Sequence, residues 1–328
     1  MRLNDPVYGS AEVTEPLLVA LIESPALQRL KGISQNGYMT PWHSGATTSR
    51  FDHSVGVMLM LCRAGTSVEE QAAGLIHDVS HGVFSHAIDY LRGEADWEFQ
   101  DRIMGSFLQA RTDLPARTAA HGYPMDLLLD DARHPLKERP LPDVCADRLD
   151  YSLRDGLAFG VLSRSEARRF LDALTAENGR WVFRNLEAAR AFSEMFRVMS
   201  RDWWSGFPSA VAFTYTVAFL RHALKAGYVT EDDLYGTESD FLARANARTD
   251  DAAASRLWRR MHDPNGWRND PSQPDARIVC KSRMVDPLVK TAGGPVRLSV
   301  LQPDWAGIVA AESAPREWFP VYDSARDT

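Results

Sequence analysis

Ser49-Arg50-Phe51-Asp52-His53, His77-Asp78-Val79-Ser80-His81 and Ala146-Asp147-Arg148-Leu149-Asp150-Tyr151 are the three stretches on which the reading of this chain turns. Among them His53, His77, Asp78 and Asp147 offer four nitrogen and oxygen donors. A catalytic divalent metal needs several such fixed donors and one position left open for water or substrate. An adjacent His-Asp pair is weak evidence alone, because neighbours on a helix point about 100° apart. The flanking positions strengthen it: one His lies 24 residues upstream of His77, and one Asp lies 69 residues downstream of Asp78, each opening an apolar run of helical period.

The periodicity around these donors predicts helices. Pro16 stands near the start of a run that ends before Pro25, where its missing N–H is harmless. His53 begins the next run, which ends at Gly65. Ser67-Val68-Glu69-Glu70 has the spacing of a capping box, followed by Val68, Ala72, Leu75, Ile76 and Val79 at helical intervals. This pattern puts His77 and Asp78 late on a buried helix that Gly82 ends, with a short helix over 85–91. Residues 111–144 carry many Pro and charged residues without a clear period, which reads as a long flexible loop, with a segment covering the site as the alternative. Beyond it, positions 147, 151, 154 and 155 fall on one side of a helix and Leu149 and Leu153 on the other, so the polar side faces the metal.

Further helices are expected over 163–174, 188–204 and 208–226, a strand over 180–183, and short strands at 277–280 and 296–300 around the Gly293-Gly294 turn. The expected architecture is mainly α, a helical core of residues 1–225 with a small α+β C-terminal subdomain over 226–328. Trp203, Trp204, Phe207 and Phe213 read as core rather than as a platform for stacking a base.

Of the 328 residues, 45% are hydrophobic and 25% charged, an ordinary globular composition. The apolar stretches are too short or too interrupted to span a bilayer and the first residues do not begin a signal peptide, so a cytoplasmic location is expected. Cys62, Cys145 and Cys280 have no paired spacing and suggest neither disulfides nor a thiolate zinc site. A net charge of −7 argues against general nucleic-acid binding but not against a small phosphorylated ligand. Two His and two carboxylates suit manganese, iron, nickel, cobalt or zinc, and magnesium less well.

The order H…HD…D in these positions resembles the HD-domain metal-dependent phosphohydrolases. The flanking residues resemble the branch that includes the deoxynucleoside triphosphate triphosphohydrolases: Asn4-Asp5-Pro6-Val7-Tyr8-Gly9, Pro25 to Leu30 and Ser34-Gln35-Asn36-Gly37 match its N-terminal lead. His77-Asp78-Val79-Ser80-His81-Gly82-Val83-Phe84-Ser85-His86 matches its central motif, and 146–155 its last.

The resemblance implies one divalent metal on His53, His77, Asp78 and Asp147, and phosphate contact and proton donation by His81 and His86, with Asp89 orienting a His or the attacking water. It implies that Gln35, Tyr151 and Asp155 meet a deoxyribose, so a nucleotide substrate and a homo-oligomeric enzyme are expected. Arg50 and Arg148 are candidate phosphate clamps, since guanidinium donors match tetrahedral phosphate. One position departs from the pattern: Phe99 stands where relatives that cleave at the α-phosphate present a His, and Phe cannot transfer a proton. Either His86 and Asp89 suffice, or the bond cleaved or the substrate has changed. The regulatory modules of some relatives are not evident, so nucleotide-activated tetramerisation is not carried over. The preferred reaction is release of triphosphate from a deoxynucleoside triphosphate. The alternatives are stepwise nucleotide phosphatase, phosphodiesterase on cyclic or linear dinucleotides, and non-catalytic nucleotide sensor.

Overall fold

Ser49 starts the helix that carries the first donor. Its Oγ accepts from the Asp52 backbone N–H at 3.1 Å while the Asp52 carboxylate accepts from the Ser49 N–H at 3.1 Å, a reciprocal cap on α1 (Arg50–Ala64). Gly65, at φ 70°, ends it in the left-handed conformation that glycine adopts without steric cost. α2 (Val68–Ile76) starts from Ser67, whose Oγ accepts from the Glu70 N–H. The capping box stays half formed there. The Glu70 carboxylate turns away to accept from the backbone N–H groups of Leu136 and Lys137 at 2.7 and 3.2 Å, tying the 136–137 segment to α2.

The computed structural model describes residues 1–92, 99–246 and 250–326. α1 is apolar nearly all round, and it is buried on both sides. Val55, Met58 and Leu59 pack with Leu17, Leu21, Ala72 and Leu75, whereas Val57, Met60 and Leu61 pack with Leu149 and Leu153 of α3 (Ala146–Ala158). Leu149 and Leu153 are fully buried, each contributing roughly 1.5–3 kcal/mol of apolar burial. Two glycines let the helices approach: a Cβ on Gly74 would lie 2.5 Å from Leu61 Cδ1, and one on Gly56 would lie 2.0 Å from Asp150 Oδ1.

α4 (Leu186–Val198) continues into a π-helical turn over Met199–Trp204, and α5 (Phe207–Lys225) packs against the short helix Ala87–Leu91. A four-stranded sheet runs β1 (Leu174–Glu177), β2 (Arg180–Phe183), β3 (Leu288–Thr291), β4 (Gly294–Arg297). β1 and β2 form a hairpin, β2 and β3 are parallel with Val182 opposite Leu288, and β3 and β4 are antiparallel. Met284, Val285, Leu298 and Trp305 share a core with Phe183, Phe192 and Phe196 of the preceding helical region. The chain is thus mainly α, with a small α+β part toward its C-terminus. Among the described residues no helix is long and apolar enough to cross a membrane.

Several expectations change. The helix before His77 ends at Ile76, so His77 is its C-cap and Asp78 lies in the turn beyond. Residues 111–144 are not one loop but contain the helices Leu114–Ala120 and Met125–Leu129, whose Leu114 and Leu128 fill the core beside α2. The strand expected over 296–300 stops at Arg297 and the chain turns into the helix Leu298–Leu301. Trp97 and Glu98, which flank the departure at Phe99, lie outside the described residues.

Candidate metal centre

α1, the end of α2 and the first turn of α3 converge on one point. His53 Nε2 lies 2.9 Å from Asp147 Oδ1 and 3.6 Å from Asp78 Oδ2, and His77 Nε2 lies 3.4 Å from the same Asp147 oxygen and 3.5 Å from Asp78 Oδ1. His53, His77 and Asp147 present donor atoms all within 4.8 Å of one another, with Asp78 completing the set from the turn. The helix end explains how adjacent His77 and Asp78 converge. His77 Nδ1–H donates to the Gly74 carbonyl at 2.7 Å, an acceptor left over by the terminating helix, and this leaves Nε2 buried without a partner among the described residues.

That orphaned nitrogen is the test of fit, and the site passes it. His53 is held in the same manner, its Nδ1 2.8 Å from Asp150 Oδ2, the carboxylate–histidine pairing that orients metal-ligating rings. Asp150, Arg154, Tyr8 and Asp5 form a buried network behind it, with Arg154 Nη2 2.8 Å from Asp150 Oδ1 and 3.0 Å from Asp5 Oδ2. Arg154 therefore turns away from the metal, contrary to the simple helical projection, because two buried carboxylates claim its charge.

Burial works against a charged His53 ring, but hydrogen bonds to Asp147 and Asp150 outweigh it and hold the pKa up at about 10. Asp147 is pressed well below the usual carboxylate range by His53 and His77 despite its burial. The metal-free His53 thus carries a proton at neutral pH that a cation must displace. Manganese affinity is expected to rise about tenfold per pH unit across neutrality, because proton and metal compete for one ring nitrogen. Titration calorimetry in buffers of different ionisation enthalpy checks this, and binding without proton release would refute it.

Three of the donors, His77, Asp78 and Asp147, line a cavity of about 490 Å³. Of the residues expected there, Gln35, Arg50, His81, His86, Arg148, Tyr151 and Asp155 all line it. Asp89 stands behind the wall, fully buried, with Oδ2 2.8 Å from His86 Nδ1. Arg50 spends Nη1 on Asp78 (2.6 Å) and Nε on Ser85 Oγ (2.8 Å), leaving Nη2 buried without a hydrogen-bond partner among the described residues. Arg148 is committed elsewhere: Nη1 donates to the carbonyls of Arg139 and Asp143 at 2.9 and 2.8 Å, so it holds the 139–145 segment.

His81 Nε2 lies 3.2 Å from Asp78 Oδ1, and burial together with the Arg50 charge depresses its pKa to about 3. Burial also lowers that of His86, against the pull of Asp89. Both rings are neutral at physiological pH. Asp155 accepts from Asn36 Nδ2 and Trp204 Nε1, both at 2.9 Å, and its burial raises its pKa.

Sequence reasoning missed several wall residues. Trp203, Trp204 and Phe213 pack against the core as expected and also line the cavity; Trp203 stacks on Phe159 at 4.6 Å and Trp204 meets Tyr151 edge-on at 5.1 Å. Phe207 does pack inward, against Trp318. The π-helical turn that rotates the Trp pair out of register leaves no trace in hydrophobic spacing. Asp101, Asp131 and Glu138 add acidic groups to the wall. Gln100 also lines it, with neither side-chain amide atom hydrogen-bonded among the described residues.

No family model matches the chain. The metal-dependent phosphohydrolase cns2 of Cordyceps militaris is 31% identical over 314 residues, which span 92% of this chain and 89% of that protein. The deoxynucleoside triphosphate triphosphohydrolase SAMHD1 of Danio rerio is 30% identical over 219 residues, 51% of this chain and 35% of that protein. A phosphohydrolase crystal structure from Bacteroides thetaiotaomicron superposes with a TM-score of 0.72, covering 98% of this chain and 99% of that one at 19% identity, which shows a shared fold. Since the relationship to the Cordyceps enzyme runs along nearly its whole length, the chain belongs to the HD-domain metal-dependent phosphohydrolases.

Proposed function

We propose that this phosphohydrolase acts on a nucleotide, with a deoxynucleoside triphosphate releasing inorganic triphosphate as the leading substrate. The observation that carries the nucleotide reading is one cavity lined both by the metal donors His77, Asp78 and Asp147 and by the aromatic side chains Tyr151, Phe159, Trp203 and Trp204. Its volume suits one mononucleotide rather than a dinucleotide. The half-length similarity to SAMHD1 supports the triphosphate case.

A divalent ion on His53, His77, Asp78 and Asp147 would polarise a phosphoryl oxygen and lower the pKa of water beside it. The residues of the chain do the rest. Arg50 Nη2, without a hydrogen-bond partner among the described residues, is a charged donor for a phosphate oxygen. His86 lines the cavity with its ring held by Nδ1–H donation to Asp89 at 2.8 Å. An arriving phosphate anion raises the His86 pKa, so the ring takes up a proton as substrate binds and returns it to the leaving oxygen. Asn36 and Trp204 hold Asp155 in place to accept from a sugar hydroxyl.

A second reading, removal of one phosphate at a time, is favoured by the charge at the phosphate end. Lys137 pairs with Asp131 and Arg148 with backbone carbonyls, while Asp101 adds negative charge, which suits a substrate with fewer charges than a triphosphate. Chromatography of products from ribo- and deoxyribonucleoside mono- and triphosphates with manganese separates the two. Triphosphate plus nucleoside is expected from the first and orthophosphate from the second. Binding without turnover of any nucleotide would overturn both and leave the sensor reading.

A further inference from the structure

The turn Val79–His86 carries His81 and His86, and its backbone is strained where it presents them. Phe84 and Ser85 stand at φ 60° and 52°, left-handed conformations that cost side-chain-bearing residues energy and persist only where surroundings impose them. The surroundings are a segment some 150 residues later in the chain. Val83 N–H donates to the Leu234 carbonyl at 2.8 Å, and Arg29 bridges the carbonyls of Val79 and His81 (2.7 and 2.8 Å) to that of Tyr235 (3.2 Å).

At the centre is Glu238, first residue of the helix Glu238–Ala245. One carboxylate oxygen, Oε1, accepts from the backbone N–H of Ser34 at 2.8 Å and of Phe84 at 3.0 Å. Ser34 precedes Gln35 and Asn36, and Phe84 lies two residues before His86. The same two loops are joined again by Ser85 Oγ, which donates to the Ser34 carbonyl and accepts from Arg50 Nε.

We propose that Glu238 is a positioning residue for phosphoryl hydrolysis: by taking both N–H groups on one oxygen it fixes the strained Phe84-Ser85 backbone and so the distance of His86 from the metal donors. None of the three motifs contains it. Two backbone N–H groups satisfied on one buried carboxyl oxygen offset the conformational cost of the turn. Released, the turn relaxes toward ordinary φ values and His86 moves. A shift of about 1 Å at a reacting group costs about 10²-fold in rate. The proposal rests on the role given to His86 above.

The test uses the full-length, manganese-loaded protein, with p-nitrophenyl phosphate as well as the best nucleotide, so that a failed nucleotide reading leaves the brace testable. Glu238→Ala is expected to lower kcat by about 10²-fold with KM and manganese affinity little changed. Glu238→Gln, whose carbonyl can still accept both N–H groups, is expected to keep kcat within about threefold of the parent. If the Ala variant fails to fold, Glu238→Asp, one methylene too short to serve both loops, takes its place against Gln. Equal kcat for Gln and Ala (or Asp), or loss of manganese binding in step with kcat, overturns the proposal. Unchanged activity in His86→Ala would instead overturn the reading of His86.

Discussion

His77→Ala is expected to remove the bound divalent ion at micromolar metal and to lower turnover by about 10³-fold or more, the loss of several kcal/mol of transition-state stabilisation. The side chain has one function that its position explains. Nδ1 is held by the Gly74 carbonyl, and the buried Nε2 has no hydrogen-bond partner among the described residues and faces Asp78 and Asp147. His77 is a helix C-cap rather than a core residue, so the truncation opens no large cavity and the fold should survive. Metal content by elemental analysis and kcat with added manganese check the prediction together. A variant that keeps stoichiometric metal and turnover within tenfold of the parent would sink it.

Asp150→Ala is expected to cost about 3–5 kcal/mol of stability, although Asp150 touches neither cavity nor substrate. The fully buried carboxylate serves His53, Tyr8 and Arg154 at once. Without it Arg154, itself 2% exposed, keeps only Asp5 as a charged partner, and an uncompensated buried charge is the expensive outcome. Loss of the His53 orienter should also weaken metal binding by about 10–100-fold. Arg154 and His53 hold the Asp150 pKa below its ordinary 3.8 against the effect of burial. Its contribution is therefore present above the unfolded value and is lost only as pH falls through the depressed one. Urea unfolding at neutral pH should show the difference in full. A variant unfolding at the parent midpoint would show that Asp5 alone neutralises Arg154.

The donor set was legible because metal chemistry restricts it. Few residue types bind a divalent ion, and the helix starts beside His53 and Asp147 are marked in the sequence, whereas the helix end that turns His77 and Asp78 together is seen only in the structure. The helical core followed from apolar periodicity. Residues 111–144 misled for a physical reason: their helices are short and half-buried, so too few turns exist for a period to emerge.

What lay beyond the reach of one sequence was every feature created by elements distant in the chain. The spacing of apolar residues pointed to a helical core, and the resemblance of the His and Asp motifs to a known family pointed to a metal-dependent phosphohydrolase and to the residues that converge at its candidate metal centre. The sequence could not say that Arg154 serves Asp150 and Asp5 instead of the metal, that Arg148 holds a neighbouring segment, or that Trp203 and Trp204 wall the cavity. Nor could it link Glu238 to the turn before His86. A periodic pattern reports which face of an element is buried, because burial follows from hydrophobicity. Which partner a buried polar group finds is decided only when the fold removes water and leaves each donor and acceptor to be satisfied by whatever the tertiary structure brings within about 3 Å.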